Sequence, residues 1–252
     1  MRVPPTKVVK KPVKRVVKPV VKKVAKAKSP TRKPSRARCA KVDPARVSRI
    51  LDGLDALYPE ATCELVHGNP FELLISTILS AQTTDKTVNG VTPGLFARYP
   101  DAASLAAADL ADVEKRIVRT GFFRNKARNI VGAARVLAKE FDGVVPRTLE
   151  ELITLPGVAR KTANVVLGTA YGIPSGVVVD THIARLSARL GLSHETDPVK
   201  IEEDLQKVIP VEKWIQFGHQ LIWHGRRVCD AKKPRCAECR LAPDCPAAFV
   251  KA

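Results

Sequence analysis

Leu155-Pro156-Gly157-Val158-Ala159-Arg160-Lys161-Thr162-Ala163 is the stretch on which the reading of this 252-residue chain turns. Ahead of it, Thr148-Leu149-Glu150-Glu151-Leu152-Ile153-Thr154 has a helix pattern, with Thr148 as N-cap and Glu151 three residues on to complete a capping box. Pro156-Gly157 stops that helix. Behind it, Thr162-Ala163-Asn164-Val165-Val166-Leu167-Gly168-Thr169-Ala170 opens a second, largely apolar helix, so Pro156 to Val158 must form a tight hairpin between the two. Its unpaired N–H groups, together with the positive end of the following helix, make a site for an anion such as a phosphate.

Lys161 falls in the first turn of that second helix, where a cation is electrostatically misplaced. A break with a local rule of this kind points to function. Two readings stand side by side. Lys161 is a solvated surface lysine or one more phosphate contact; or it is partly buried among positive neighbours, titrates below the usual value of about 10.4 and supplies a neutral, nucleophilic amine.

Outward from the hairpin, helical patterns dominate and the class is all-α. Pro44 at a helix N1, followed by Val47, Ile50, Leu51, Leu54 and Leu57, gives a stripe of 3.6 period that Tyr58-Pro59 ends. Residues 71–81 are apolar on nearly every face and are expected at the centre. Further helices are expected over 104–120, 125–141, 181–190, 198–208 and 213–224, joined by short Gly, Pro or Asp turns, with Trp214 and Trp223 in the core. Val177-Val178-Val179 has the composition of a strand but nothing obvious to pair with, and no solenoid repeat is present.

Charge is concentrated at one end. Of the 43 Lys and Arg, 16 lie in residues 1–41, which carry no acid; the other 211 residues hold 27 bases against 25 acids, so nearly all of the net +18 is tail. With Val-Lys-Pro repeats and no aromatic residue, this tail is expected to be disordered and to bind nucleic acid by counterion release, the competing reading being an import signal. No signal-peptide apolar region or membrane-length run is present, and the protein is read as intracellular.

Four of the six cysteines close the chain as Cys229-x6-Cys236-x2-Cys239-x5-Cys245. In an intracellular protein such clustering indicates thiolate ligands, suited to tetrahedral zinc or to a four-iron cluster. One close pair with two wider arms, in place of the two close pairs of a zinc ribbon, leans toward iron and sulfur. Cys39 and Cys63 are read as unpaired thiols.

The hairpin of residues 155–163, the run Val179-Asp180-Thr181-His182 placed so that Asp180 is nineteen residues past Lys161, the segment Leu79-Ser80-Ala81-Gln82-Thr83-Thr84-Asp85 and the terminal cysteine loop together resemble the endonuclease III family of DNA glycosylases. The likeness runs over about residues 43–247. It implies an all-helical, two-lobed, monomeric enzyme of the bacterial cytoplasm or nucleoid, with a six-helix barrel over 62–174 and a second lobe from 42–61 and 175–252 whose Cys229, Cys236, Cys239 and Cys245 hold a [4Fe-4S] cluster. Double-stranded DNA carrying damaged pyrimidines or abasic sites would lie across the cleft.

The resemblance further implies that Lys161 attacks C1′ of the damaged nucleotide, displaces the base and forms a Schiff base from which the 3′ phosphate is lost by β-elimination. Asp180 would handle protons and offset positive charge on the sugar; it is also well placed as the N-cap of the helix that follows, and the two roles are compatible. Gln82 matches the family's inserted glutamine, and Phe122 of Gly121-Phe122-Phe123 stands where relatives carry an apolar wedge to fill the gap left by an extruded nucleotide. Gly157 and Ala159 belong to the DNA-binding hairpin, Ala159 replacing a common second glycine. His182 is a contact to DNA or a satisfied structural histidine. The interval from Lys161 to Asp180 is expected to absorb an extra residue around Ser175-Gly176.

Two rivals are weighed. An adenine-removing mismatch glycosylase of the same fold needs a glutamate five residues before the glutamine, where this chain has Thr77, and lacks the lysine. A non-catalytic DNA clamp would need neither Lys161 nor Asp180.

Overall fold

The computed structural model describes residues 42–249, and the basic tail expected over 1–41 lies outside them. Twelve α-helices with short 3-10 turns between them make up the described residues, which contain no strand. In chain order these are α1 (Pro44–Leu57), α2 (Pro70–Leu79), α3 (Asp85–Asn89), α4 (Thr92–Arg98), α5 (Ala102–Ala106), α6 (Leu110–Ile117), α7 (Phe123–Glu140) and α8 (Leu149–Leu152). Then follow α9 (Arg160–Tyr171), α10 (Thr181–Arg189), α11 (Pro198–Val208) and α12 (Trp214–Arg227). No helix among them is long and apolar enough to cross a membrane.

The all-α reading holds, with local corrections. Residues 104–120 do not form one helix: α5 ends at Ala106, and Asp109 starts α6 afresh by accepting from the Ala111 amide at 3.1 Å. Val177 to Val179, with no strand to pair with, lie in the irregular connection between α9 and α10. The capping box at Thr148 is only half formed. The Thr148 hydroxyl accepts from the Glu151 amide at 3.3 Å, but the Glu151 carboxylate takes that same hydroxyl, at 2.6 Å, in place of the Thr148 backbone N–H.

Buried side chains gather into two clusters within one compact unit. The first is built on α2, where Leu73, Leu74, Ile75 and Leu79 are fully buried, and takes in Leu105, Ile117, Ile130, Leu137 and Val166. Each such Leu or Ile contributes ~2 kcal/mol over leaving it in water. The second joins α1 to the far end of the chain: Ile50 and Leu54 pack with Ile183, Leu186, Leu205, Phe217 and Leu221. Residues 58–65 and 168–177 carry the chain from one cluster to the other and back.

The hairpin between α8 and α9 owes its shape to three residues. Gly157 has φ +78, and a Cβ there would lie 2.8 Å from Cβ of Asn129 on α7. Gly132, three residues further along α7, lets Pro156 approach closely, since a Cβ at 132 would sit 3.2 Å from Pro156 Cγ. That contact accounts for a glycine inside an 18-residue helix, where it costs about 1 kcal/mol relative to alanine. Ala159 is the N-cap of α9 at φ −95 and ψ 169, extended backbone open to any residue, so the second glycine is not required.

Gly157→Ala is therefore expected to destabilise the protein by about 1–3 kcal/mol through left-handed strain and the Asn129 contact. Ala159→Gly should change stability by less than about 1 kcal/mol. Urea unfolding of both variants checks this, and a wild-type midpoint for Gly157→Ala would contradict the account of the hairpin.

Candidate active site

Eight of the twelve helices begin at an Asp, Asn or Thr whose side chain accepts from the first turn. Helix α9 begins at Ala159 with no side-chain cap. Val158 N–H bonds back to Leu155 O at 3.1 Å and Ala163 N–H to Ala159 O at 3.0 Å, while the amides of Gly157, Ala159, Arg160, Lys161 and Thr162 have no acceptor among the described residues. A row of free donors therefore stands at the positive end of a 12-residue helix, where the sequence led us to expect an anion site.

Lys161 is the second residue of α9 and is exposed. Of the two readings of this lysine, the exposed one holds in the free protein, and the partial burial of the other is not found. The side chain lines a cleft of ≈ 290 Å³ between the two clusters, and Asp180 lines the same cleft from the other side. Asp180 caps α10, its Oδ1 accepting from the Ile183 amide at 2.8 Å, and it is half-buried. The capping role and the place in the cleft thus coincide in one carboxylate.

The connection from α9 to Asp180 is registered by a carboxylate in neither motif. Glu202 of α11 accepts from Arg160 Nη2 at 3.1 Å and Nε at 3.2 Å, and from Asn164 Nδ2 at 3.3 Å. Asn164 in turn accepts from the Ser175 hydroxyl at 2.9 Å. A Cβ on Gly176 would fall 2.1 Å from Glu202 Oε1, so only glycine lets the loop pass here. Across the cleft mouth, Arg226 of α12 pairs with Glu64 and, at 2.8 Å, with Asp85.

Gln82 also lines the cleft, exposed and at φ +54. Phe122 is outside the cleft lining, 68% exposed and at φ +47. Only four non-glycine residues among those described have positive φ, and these two are among them. Thr77, at the position where the adenine-removing relatives carry glutamate, lines the cleft with its hydroxyl already donated to Leu73 O at 2.7 Å. His182 turns away. Its ring lies against Gly225, where a Cβ would approach Nδ1 to 2.8 Å, and Nδ1 is 3.3 Å from Arg185 Nη2.

Sequence reasoning placed Trp214 and Trp223 in the core, but both are half-buried and line the cleft. It missed His219, which also faces the cleft and whose pKa burial pushes down, favouring a neutral imidazole. The signal was present: His219 and Arg226 are polar residues seven apart on α12, on the same side as Trp223. Cys63 is a half-buried free thiol in the cleft wall.

The four terminal cysteines are all free thiols and line a second cavity with Leu186, Val228 and Leu241. Arg189 Nη1 donates to Cys229 Sγ at 3.2 Å, and its guanidinium also binds Asp230 O and Ala231 O at 2.7 Å. Arg46 of α1 ties Leu190 O at 2.6 Å to Asp244 O at 3.0 Å, fixing the loop from the opposite side. No three His, Cys, Asp or Glu side chains among the described residues form a site for a single metal ion.

Residues 75–211 match the model of the HhH-GPD superfamily base excision DNA repair protein. Endonuclease III of Synechocystis sp. is 59% identical over 203 residues, covering 81% of this chain and 93% of that protein. The solved structures of a non-covalent endonuclease III–DNA complex and of a trapped endonuclease III–DNA covalent intermediate each superpose with a TM-score of 0.78 at 43% identity, covering 82% of this chain and 97% of theirs. By this family match and an identity of 59% over 93% of a curated relative, the chain belongs to the endonuclease III family within the HhH-GPD superfamily of base excision DNA repair proteins.

Proposed function

We propose that the protein is a bifunctional DNA glycosylase and AP lyase that removes oxidised pyrimidines from double-stranded DNA in base excision repair. The observation that carries this is the meeting of Lys161 and Asp180 in one cleft, reached from separate helix starts. The Lys161 amine attacks C1′ of an extruded nucleotide, the C1′–N bond breaks, and the base departs with the electron pair and takes up a proton. The lysine nitrogen lone pair then breaks the C1′–O4′ bond, O4′ takes up a proton, and the resulting iminium of the opened sugar makes the C2′ proton acidic; its loss expels the 3′ phosphate by β-elimination. Because Lys161 is exposed in the free enzyme, its desolvation comes only with DNA across the cleft. Asp180, held by the Ile183 amide, receives the ammonium proton and offsets charge on the sugar.

The free amides from Gly157 to Thr162 bind a backbone phosphate. Gln82 and Phe122 fill the space left by the extruded nucleotide, which accords with two exposed side chains held out on left-handed turns. His182, packed on Gly225, reads as structural support for the α10–α12 contact. Adenine removal is disfavoured by Thr77, which offers a committed hydroxyl where that chemistry needs a carboxyl group. The sixteen bases of the tail add sequence-independent affinity. The two buried clusters support a division into a barrel over 62–174 and a second lobe from 42–61 and 175–252. The protein acts as a monomer inside a bacterial cell, in keeping with its bacterial relatives.

Cys229, Cys236, Cys239 and Cys245 hold a [4Fe-4S] cluster in this reading. Four free thiols around one apolar-walled cavity fit it, and Arg189 supplies a charged donor to a ligand sulfur. When bound, the cluster supplies structure and no redox step: it fixes the loop bearing exposed Lys232, Lys233 and Arg235 beside the DNA backbone.

Lys161→Gln is expected to reduce both base release and strand nicking to below about one-thousandth of wild type. It should also abolish the borohydride-trapped adduct, while affinity for a duplex with an uncleavable abasic analogue stays within about tenfold. Nicking at the wild-type rate would remove Lys161 from the mechanism, and binding without any trappable adduct in the wild-type protein would favour a non-catalytic clamp. Purified protein should be yellow-brown, with broad absorption in the blue that bleaches as iron is chelated. A colourless, fully active preparation with stoichiometric zinc would overturn the cluster.

A further inference from the structure

Both turns that carry the proposed gap-filling side chains are held by one ammonium. Lys126, in the first turn of α7, is 5% exposed. Its Nζ donates to Thr83 Oγ1 at 2.7 Å and to Thr120 O at 2.8 Å, and Thr83 Oγ1 itself donates to Thr120 O at 2.5 Å. Thr83 directly follows Gln82, and Thr120 directly precedes Gly121-Phe122. Two turns 37 residues apart in the chain are thereby closed into a triangle of hydrogen bonds around one nitrogen.

Stability does not account for this lysine. Lysine is among the residues least often buried without a charge partner, and no acid pairs with Lys126 among the described residues. Burial alone lowers its pKa, with no opposing charge to offset the loss of water. Its place near the positive end of α7 disfavours the cation further. A methionine of similar length would fill the same volume without that penalty. What methionine lacks is donors aimed at both turns.

We infer that Lys126 is a positioning residue that locks the Gln82 and Phe122 turns to one another, so that the two side chains enter the duplex at one fixed spacing. The inference rests on the reading of Gln82 and Phe122 as gap-filling groups. Each of these residues sits at positive φ, a conformation that persists only where surrounding contacts over-determine it, and the Lys126 triangle adjoins both. Neutral acceptors suit the task. A carboxylate partner would satisfy Lys126 locally, whereas a hydroxyl and a carbonyl from different turns satisfy it only when both turns are in place.

The test is a ratio of single-turnover base-release rates at saturating enzyme. The same lesion is placed opposite its normal partner base and opposite an abasic analogue, where no pair must be broken and no orphaned base held. Gln82→Ala and Phe122→Ala are expected to lower the paired-to-unpaired ratio about tenfold each, which tests the gap-filling reading by itself. Lys126→Met should lower that ratio about tenfold as well, with a thermal midpoint equal to or above wild type. A merely structural role would slow both substrates together and leave the ratio alone. Thr83→Val, which removes the shared hydroxyl and keeps Lys126, should lower the ratio too, and it decides the matter if Lys126→Met does not fold. A wild-type ratio for Lys126→Met, beside lowered ratios for Gln82→Ala and Phe122→Ala, would refute the coupling alone. A wild-type ratio in all of them would remove the gap-filling reading and the coupling with it.

Discussion

Helix α9 starts with no capping side chain, and the chemistry proposed for the cleft depends on that omission. A capped start spends its first N–H groups on the protein's own Asp, Asn or Thr, as most helices here do. At α9 the turn before the helix needs Gly157 in a left-handed conformation, Ala159 offers nothing to accept with, and a row of donors stays open to solvent. Exposure keeps the penalty small, because water satisfies the amides until a phosphate displaces it. The rigidity comes from outside the hairpin: Pro156 and Gly157 are seated on Gly132 and Asn129 of α7. Lys161 is the second residue of the same helix, so the amides proposed to hold a phosphate and the amine proposed to react share one rigid origin.

A nucleophile and a carboxylate on different elements are useful only if those elements keep register. Glu202 is 7% exposed, and a carboxylate so far from water requires charged and hydrogen-bonding partners. It finds them in Arg160 and Asn164, both on the helix that carries Lys161, while filling the space that Gly176 leaves free on the loop leading to Asp180. Moving either element would strand a buried charge. Arg226, shared between Glu64 and Asp85, and Trp223, donating to Thr62 O at 3.2 Å, brace the other rim. The cleft is therefore held open by polar contacts whose loss costs more than their formation contributes, an asymmetry that favours one geometry over neighbouring ones.

What could be read from the residues alone was whatever is encoded within a few positions. The Pro-Gly hairpin, the Asp180 cap, the apolar run of α2 and the spacing of the cysteines are local, and the structure has each where it was expected. The helix over 104–120 failed for a local reason too, since Asp109 restarts the chain as a cap inside an apparently continuous pattern. Burial was not legible. Whether Lys161 is covered, or Trp223 faces a core or a cleft, depends on partners far along the chain, and nothing near them distinguishes the cases. Glu202 and Lys126 were invisible for the same reason: each looks like an ordinary charge on a helix until the partner 42 or 43 residues away is in place.

The two exposed turns show why strain and function coincide here. Glycine at 82 or 122 would relieve the left-handed backbone but remove the side chain proposed to fill the gap in the duplex. A side chain meant to enter DNA cannot be packed against its own protein beforehand, so the backbone beneath it must supply the order that packing would otherwise give. Phe122, 68% exposed, has no core contact to hold its position. Order then has to be imported through the neighbours Thr83 and Thr120, which are bonded to each other. Rigid turns bearing free side chains lose little entropy when they insert, which is the condition for using binding energy to keep a nucleotide extruded.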